Sequence, residues 1–137
     1  GVTHPRYRPY RVSPNKWDEV VAEMNLCAHP DLNIVDATTS MVAGGPWQGT
    51  AVKTGLIIAS GDRVAADVVG LGLIKSFGKW EPVSKVKVWD QRQIQHAQEL
   101  GLGIKDKKSV EMVTKLLEGK EEEFSKLMGK IQKFIAA

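Results

Sequence analysis

The spacing of apolar residues along the chain predicts helices and strands in alternation. A first helix is predicted between Ser13 and Pro30 by apolar residues three to four positions apart, namely Trp17, Val20, Val21, Met24 and Ala28. Two short β-branched runs, 32–36 and 53–60, are typical of buried strands. An almost wholly apolar helix is predicted from Asp62 to about Lys75, and an amphipathic helix from Glu121 onward.

Three segments carry weaker signals. Alternating Val and Lys over 83–88 predict an edge strand, and Asp90 is predicted to cap a helix that stops at Gly101. Residues 109–114 fit a strand or a helix equally. The order of elements predicts an α/β fold with a mixed or mostly parallel sheet flanked by helices. Residues 1–14 are expected to form a basic extended arm, and 15–137 a single α/β domain.

Charge adds one feature to this pattern. The chain has 137 residues, with 19 Lys and Arg against 16 Asp and Glu. Three of the basic residues, Arg6, Arg8 and Arg11, lie in the arm, which contains no acid, so the remainder is balanced at 16 of each sign. Their interleaving with Tyr7 and Tyr10 suits nucleic-acid contact. A solvated arm, or one that crosses to another domain, is the favoured interpretation, which leaves nucleic-acid binding as a remote alternative.

Some classes of protein are disfavoured by composition. No apolar run approaches the roughly 18 to 20 residues of a membrane span, and no leader pattern opens the sequence, so we expect a cytoplasmic protein without a membrane partner. The single Cys27 cannot by itself form an internal disulfide or hold an iron–sulfur cluster. It lies near the apolar stripe of the first helix, where we expect it to pack.

Three carboxylates are candidate ligand-binding groups. Asp36 ends the first predicted strand, where open α/β sheets place their ligands, although it could equally cap a turn. Asp62 begins the apolar helix, where capping alone would explain it. Asp67 lies inside that helix and, if buried, needs a partner. Lys53, Lys75 or a loop N–H is the structural explanation, and a magnesium or calcium site shared with Asp36 is the functional one.

A glycine-rich loop over 44–50 is a further candidate site. Gly44, Gly45 and Gly49 could let backbone N–H groups face an anion. The loop lacks the spacing of a P-loop and of the dinucleotide-binding GxGxxG motif. A tight connection with Trp47 packed as a lid is an equal alternative.

A family resemblance is carried by DLNIVDATTSMVAGGPWQGTAVKTGLIIASGDRVAADVVG (31–70) and HAQELGLGI (96–104). These segments resemble the domain of unknown function 362 family. Its members are uncharacterised α/β proteins, many of which carry ferredoxin-type modules and are described as iron–sulfur-binding for that reason. The family domain is longer than this chain, so the resemblance implies the C-terminal portion of a domain. Its partner would be the missing N-terminal half of the same protein or a ferredoxin-like module.

Two departures from the family pattern bear on the site. The family tends to have Glu-Gly-Asn where this chain has Val42, Ala43 and Gly44, which removes a potential ligand carboxylate. It also tends to have Pro where this chain has Arg63.

Two main hypotheses follow. The first is a ligand- or cofactor-binding α/β domain, with its site at the three carboxylates and the glycine loop, completed by the missing half. The second is a non-catalytic scaffold or docking module for an iron–sulfur electron-transfer partner. The sequence assigns no reaction and no catalytic residue, and a divalent cation is the cofactor that the carboxylates suit.

Overall fold

A computed structural model describes residues 16–45 and 48–137. Its helices are α1 (Trp17–Glu23), α2 (Arg63–Phe77), α3 (Glu81–Ser84), α4 (Arg92–Glu99) and α5 (Glu121–Ala136), and its strands are β1 (Asn33–Gly44) and β2 (Gly49–Ser60). Short 3-10 helices cover Met24–Cys27 and Lys107–Ser109. The predictions for the arm 1–14, for a helix start at Ser13 and for a Trp47 lid fall outside the described residues.

The strands β1 and β2 form a two-stranded antiparallel hairpin, with Asn33 opposite Ser60 and Gly44 opposite Gly49. The connection between them spans only residues 45–48, and a parallel pair needs a crossover of a dozen residues or more. The predicted parallel character is therefore wrong, whereas the mixture of helix and strand flanked by helices is confirmed. Both strands are also longer than predicted, since Thr38, Thr39 and Val42 carry β1 well past the 32–36 run.

The core lies between the inner face of this hairpin and helices α2, α4 and α5. Ala37 is buried on that face, and Leu56 and Ile58 of β2 pack against the same cluster. The amphipathic helix predicted from Glu121 is confirmed as α5, which buries Ile131 and Ile135 against α2. No helix within 16–45 and 48–137 combines the length and the apolar character that a membrane crossing needs.

The edge strand predicted over 83–88 is wrong. The chain there forms the one-turn helix α3 and a turn, whose carbonyl groups converge on the buried Lys75. The Lys75 Nζ donates to the carbonyl oxygens of Val83, Ser84 and Val86 at 2.8, 2.9 and 2.5 Å. A single ammonium group thus gathers acceptors that a strand would have directed to alternate sides.

Two helix ends also differ from expectation. Helix α4 begins at Arg92 and its N-cap is Gln91, so Asp90 does not cap it, although the predicted stop at Gly101 is confirmed by a φ of 70° there. Residues 110–114 are neither strand nor helix.

Helix α1 is less buried than its apolar spacing indicated. It ends at Glu23 and continues as a 3-10 helix of about three residues per turn, which breaks the 3.6-residue stripe. Ala22 is its only buried residue, and Trp17 is 44% exposed. Cys27 is exposed, so the prediction that it packs against the apolar stripe is wrong.

Candidate functional site

A cavity of about 330 Å³ lies between α1, β1, α2 and α4. This volume is at the lower end of the range of about 300–1,000 Å³ found for small-molecule sites. Much of its lining is apolar, with contributions from Val21, Val35, Val64, Ile94 and Leu102. Five polar side chains complete the lining: Asn25, Asn33, Arg63, Asp67 and Gln93.

Asp67 is the one carboxylate in this lining. Asp67 is exposed, so the condition of burial is not met, and its Oδ2 accepts a hydrogen bond from Gln93 Nε2 at 2.7 Å. Gln93 on α4 therefore takes the place of the expected Lys53, Lys75 or loop N–H. Desolvation by the surrounding protein raises the pKa of Asp67, and the hydrogen bond from Gln93 opposes that rise. Because the residue remains exposed, solvent limits this rise.

Arg63 lies one helical turn before Asp67 in the same lining. Its Nη1 donates to the carbonyl oxygens of Asn25 and Ala28 at 2.5 and 2.7 Å, and its Nη2 lies 3.5 Å from His29 Nδ1. The guanidinium group therefore ties the start of α2 to the segment that follows α1. Residues four apart lie on one helix face, yet no ion pair joins Arg63 to Asp67 in the described structure.

Charged side chains hold α1 against α4, two of the three helical walls of the cavity. Arg92 Nε donates to Glu19 Oε1 at 2.8 Å, and its Nη1 donates to Glu99 Oε1 at 2.8 Å. His96 Nδ1 lies 2.8 Å from Glu99 Oε2, and its Nε2 lies 3.3 Å from Glu23 Oε1. The hydrogen bond to Glu99 is the main cause that raises the pKa of His96. Both ring nitrogens face carboxylates, which favour the doubly protonated imidazolium. The positive charge of Arg92, whose Nη2 lies 3.4 Å from His96 Nδ1, opposes this rise in the pKa.

Asp62 caps α2, which is one of the two roles predicted for it. Its Oδ1 accepts from Ala65 N at 2.8 Å, which caps α2, and its Oδ2 accepts from Ile104 N at 2.9 Å. The carboxylate thereby joins the start of α2 to the segment after α4. A ligand-binding role for Asp62 stays a prediction, in which the ligand would compete with these two donors.

Asp36 is the fourth residue of β1 and does not end the strand as predicted. It is exposed, and its Oδ1 accepts from Thr38 N at 2.9 Å and from Thr38 Oγ1 at 2.7 Å. These bonds, the backbone one foremost, lower the pKa of Asp36. Asp36 is not part of the cavity lining that contains Asp67. Within the described ranges, no group of three or more His, Cys, Asp or Glu side chains could hold a metal ion.

The glycine loop forms the tip of the hairpin. Gly44 and Gly45 have φ angles of 71° and 112°, and Gly45 N donates to Gln48 O at 2.7 Å. A Cβ atom on Gly49 would collide with the carbonyl oxygen of Ala43. The turn geometry alone thus accounts for these glycines. At about 3.3 Å per residue, β2 places Gly49 roughly 36 Å from Ser60, so the structure does not bring the loop together with Asp62.

Four of the five polar side chains of the cavity were not predicted as site residues. Arg63 and Asp67 stand four positions apart in a nearly apolar helix, and that spacing was the available signal that they share a face. Gln93, Asn25 and Asn33 carry no distinguishing pattern, because their roles depend on how α1, β1 and α4 meet.

Comparison with known proteins identifies one family. The model of the family described as Domain of unknown function (DUF362) matches residues 2–72, just over half of the chain. That match contains α1, β1, β2 and the first ten residues of α2, and with them four of the five polar cavity residues: Asn25, Asn33, Arg63 and Asp67. No curated protein and no solved structure matches the chain.

Proposed function

The chain belongs to the Domain of unknown function (DUF362) family, and we propose that its domain binds a small organic ligand in the cavity between α1, β1, α2 and α4. The observation that carries the proposal is the composition of the cavity wall, in which apolar side chains surround an arginine and an aspartate that do not pair with each other. The apolar part of such a wall removes a ligand from water, and the few polar groups fix its orientation.

The walls of the cavity are held by specific contacts, which supports the same proposal. Arg63 fixes the segment after α1 through two carbonyl groups. Arg92 and His96 fix α1 itself through Glu19 and Glu23. A site whose walls are ordered before binding loses less conformational entropy when the ligand arrives, so its affinity is greater for the same contacts.

A fragment screen by two-dimensional NMR tests the proposal, using the side-chain amide signals of Asn25, Asn33 and Gln93 as reporters. Val35, 38% exposed on the cavity wall, offers a place to fill the space, and Val35→Phe is expected to abolish the shifts of any bound fragment. Ile57→Phe is the matched control, because Ile57 is 70% exposed and outside the cavity lining. Fragments that bind Val35→Phe as well as wild type, or a screen without any hit, would contradict the proposal.

A docking module for a protein partner is the second candidate, favoured by the outer face of the hairpin. Ile34 and Ile57 are 66% and 70% exposed there, and the preceding Leu32 is 58% exposed. Exposed apolar surface of this kind marks interaction sites when it is contiguous. Titration of the labelled chain with a four-iron ferredoxin tests the iron–sulfur version. This version predicts that the signals of β1 and β2 broaden in wild type and do not broaden in Ile57→Asp. Unchanged wild-type spectra would exclude that partner.

Three further predictions about binding remain predictions. Completion of the site by another part of the same protein and a divalent cation at Asp36 and Asp67 are untested. Nucleic-acid binding depends on Arg6, Arg8 and Arg11, which lie outside the described residues. It predicts a salt-sensitive affinity that the triple alanine variant loses.

A further inference from the structure

We propose that the ligand of the cavity is a small zwitterion that carries both an ammonium group and a carboxylate, as a free aliphatic α-amino acid does. The inference rests on the proposed function and specifies the ligand for the same site. It follows from the two opposite charges in the lining, Arg63 and Asp67, and from which of their atoms remain available.

The anionic end of the cavity is Asp67. Its Oδ2 accepts from Gln93 Nε2 at 2.7 Å, and no hydrogen bond to its Oδ1 occurs within residues 16–45 and 48–137. Gln93 therefore orients the carboxylate and leaves one oxygen for a donor from outside. An ammonium group supplies three donors and a positive charge, so it complements this oxygen better than a neutral hydroxyl group does.

The cationic end is Arg63, which is held by one edge and free on the other. Its Nη1 uses both hydrogens on the carbonyl oxygens of Asn25 and Ala28. Its Nη2 makes a single long contact of 3.5 Å with His29, and its Nε has no acceptor in the described part of the chain. The Nε and Nη2 hydrogens of a guanidinium group form the parallel fork that binds a carboxylate through two bonds.

The spacing of Arg63 and Asp67 on α2 allows one short zwitterion to contact both. Side chains four residues apart on a helix have Cβ atoms roughly 5–6 Å apart, so one small molecule can reach both Arg63 and Asp67. The structure does not neutralise these charges against each other, since the ion pairs among the described residues do not include either one. The apolar side chains Val21, Ile94 and Leu102 line the remaining space and suit an aliphatic body.

Calorimetry with three related ligands tests the inference on the whole chain. L-leucine carries both charges, 4-methylpentanoate lacks the ammonium group, and 3-methylbutylamine lacks the carboxylate. We expect L-leucine to bind at least tenfold more tightly than either analogue. An analogue that binds as tightly as L-leucine would overturn the inference, and so would the absence of L-leucine binding.

Substitution at Asp67 tests the anionic end. Asp67→Asn keeps the shape of an exposed side chain, and we expect it to remove the preference for L-leucine over 4-methylpentanoate. Asp90→Asn makes the same change of net charge outside the cavity lining and should leave that preference intact. Equal binding of L-leucine to wild type and Asp67→Asn would overturn the inference. In that case, fragments that still bind wild type and fail on Val35→Phe would leave the proposed function standing.

Discussion

Replacement of Gly103 by alanine probes how Asp62 holds the start of α2 against the segment after α4. A Cβ atom at position 103 would lie 2.6 and 2.7 Å from the two carboxylate oxygens of Asp62 and 2.9 Å from its Cγ. Those oxygens are already fixed by the N–H groups of Ala65 and Ile104 at 2.8 and 2.9 Å. The carboxylate is short, so it can clear the new methyl group only by stretching or breaking one of these bonds.

The magnitude follows from the two bonds at risk. Loss of a helix N-cap costs about 0.5–2 kcal/mol, and loss of a hydrogen bond to a charged acceptor costs about 1.5–3 kcal/mol. Since the substitution needs to sacrifice only one of them, we expect Gly103→Ala to lower the free energy of unfolding by about 1–3 kcal/mol. Gly103 does not have a positive φ, so backbone strain adds nothing to this figure.

Urea unfolding of a double-mutant cycle separates the clash from other effects. In an Asp62→Ala background the carboxylate is absent, so Gly103→Ala should have no cost. It could even stabilise the fold by up to about 1 kcal/mol, because alanine lowers the conformational entropy of the unfolded chain relative to glycine. Gly70→Ala in α2 is a control, because a Cβ there meets nothing within 4 Å, and it should stabilise by about 0.5–1 kcal/mol. An equal cost of Gly103→Ala in both backgrounds would refute the reasoning.

Three other substitutions test the packing and the charges. Lys75→Met removes the ammonium donor shared by the carbonyl oxygens of Val83, Ser84 and Val86. The Val83 oxygen keeps a bond from Gln91 Nε2 and Val86 is 37% exposed, so urea unfolding should show a loss of about 1–3 kcal/mol, the cost of about one unsatisfied acceptor. The pKa of His96 is raised in the folded state. Its contribution to folding stability is therefore complete below the ordinary histidine pKa of about 6.5, and it is lost as the pH rises through the higher pKa of the folded state. The melting temperature of wild type should therefore fall over this range relative to His96→Gln, and parallel curves would contradict the assignment. Gly72→Ala places a Cβ 3.1 Å from Ile131 Cγ2 and 3.3 Å from the Ile131 carbonyl oxygen, so in urea unfolding it should lack the gain of about 0.5–1 kcal/mol that we expect for Gly129→Ala. The Cβ of Gly129→Ala meets open space, and equal effects of the two substitutions would refute the close packing at Gly72.

The parts of the fold that the sequence predicted well depend on short-range rules. A cap at Asp62, a stop at Gly101 and an amphipathic helix from Glu121 are each decided within a few residues. The sheet was mispredicted, because the predicted strands 32–36 and 53–60 left 16 residues between them, whereas the observed strands run to Gly44 and from Gly49. Once the strands reach Gly44 and Gly49, no chain remains for a parallel crossover.

The site was harder to predict, since it forms where separate elements meet. Asp67 lies at the surface beside the cavity and accepts a hydrogen bond from Gln93 on another helix, a partner that the apolar spacing of its own helix could not indicate. The carboxylates at Asp36 and Asp62 satisfied the rules for strand ends and helix starts, but their oxygens accept local hydrogen bonds. The position of a polar residue in a strand or helix thus predicted where a carboxylate would lie. It did not distinguish a carboxylate that caps the backbone from one that faces a ligand.

The balance of forces around α1 links the fold to the proposed function. Only Ala22 of this helix is buried, so apolar burial contributes little to its position. Charged contacts from Arg92 and His96, together with the bonds from Arg63 to the following segment, hold it in place. Elements with few buried apolar contacts are the first to open locally, so α1 is the wall that can open most easily. We therefore expect a ligand to enter beside α1 and to stabilise it once bound, because Asp67 and Gln93 belong to the better-packed helices opposite.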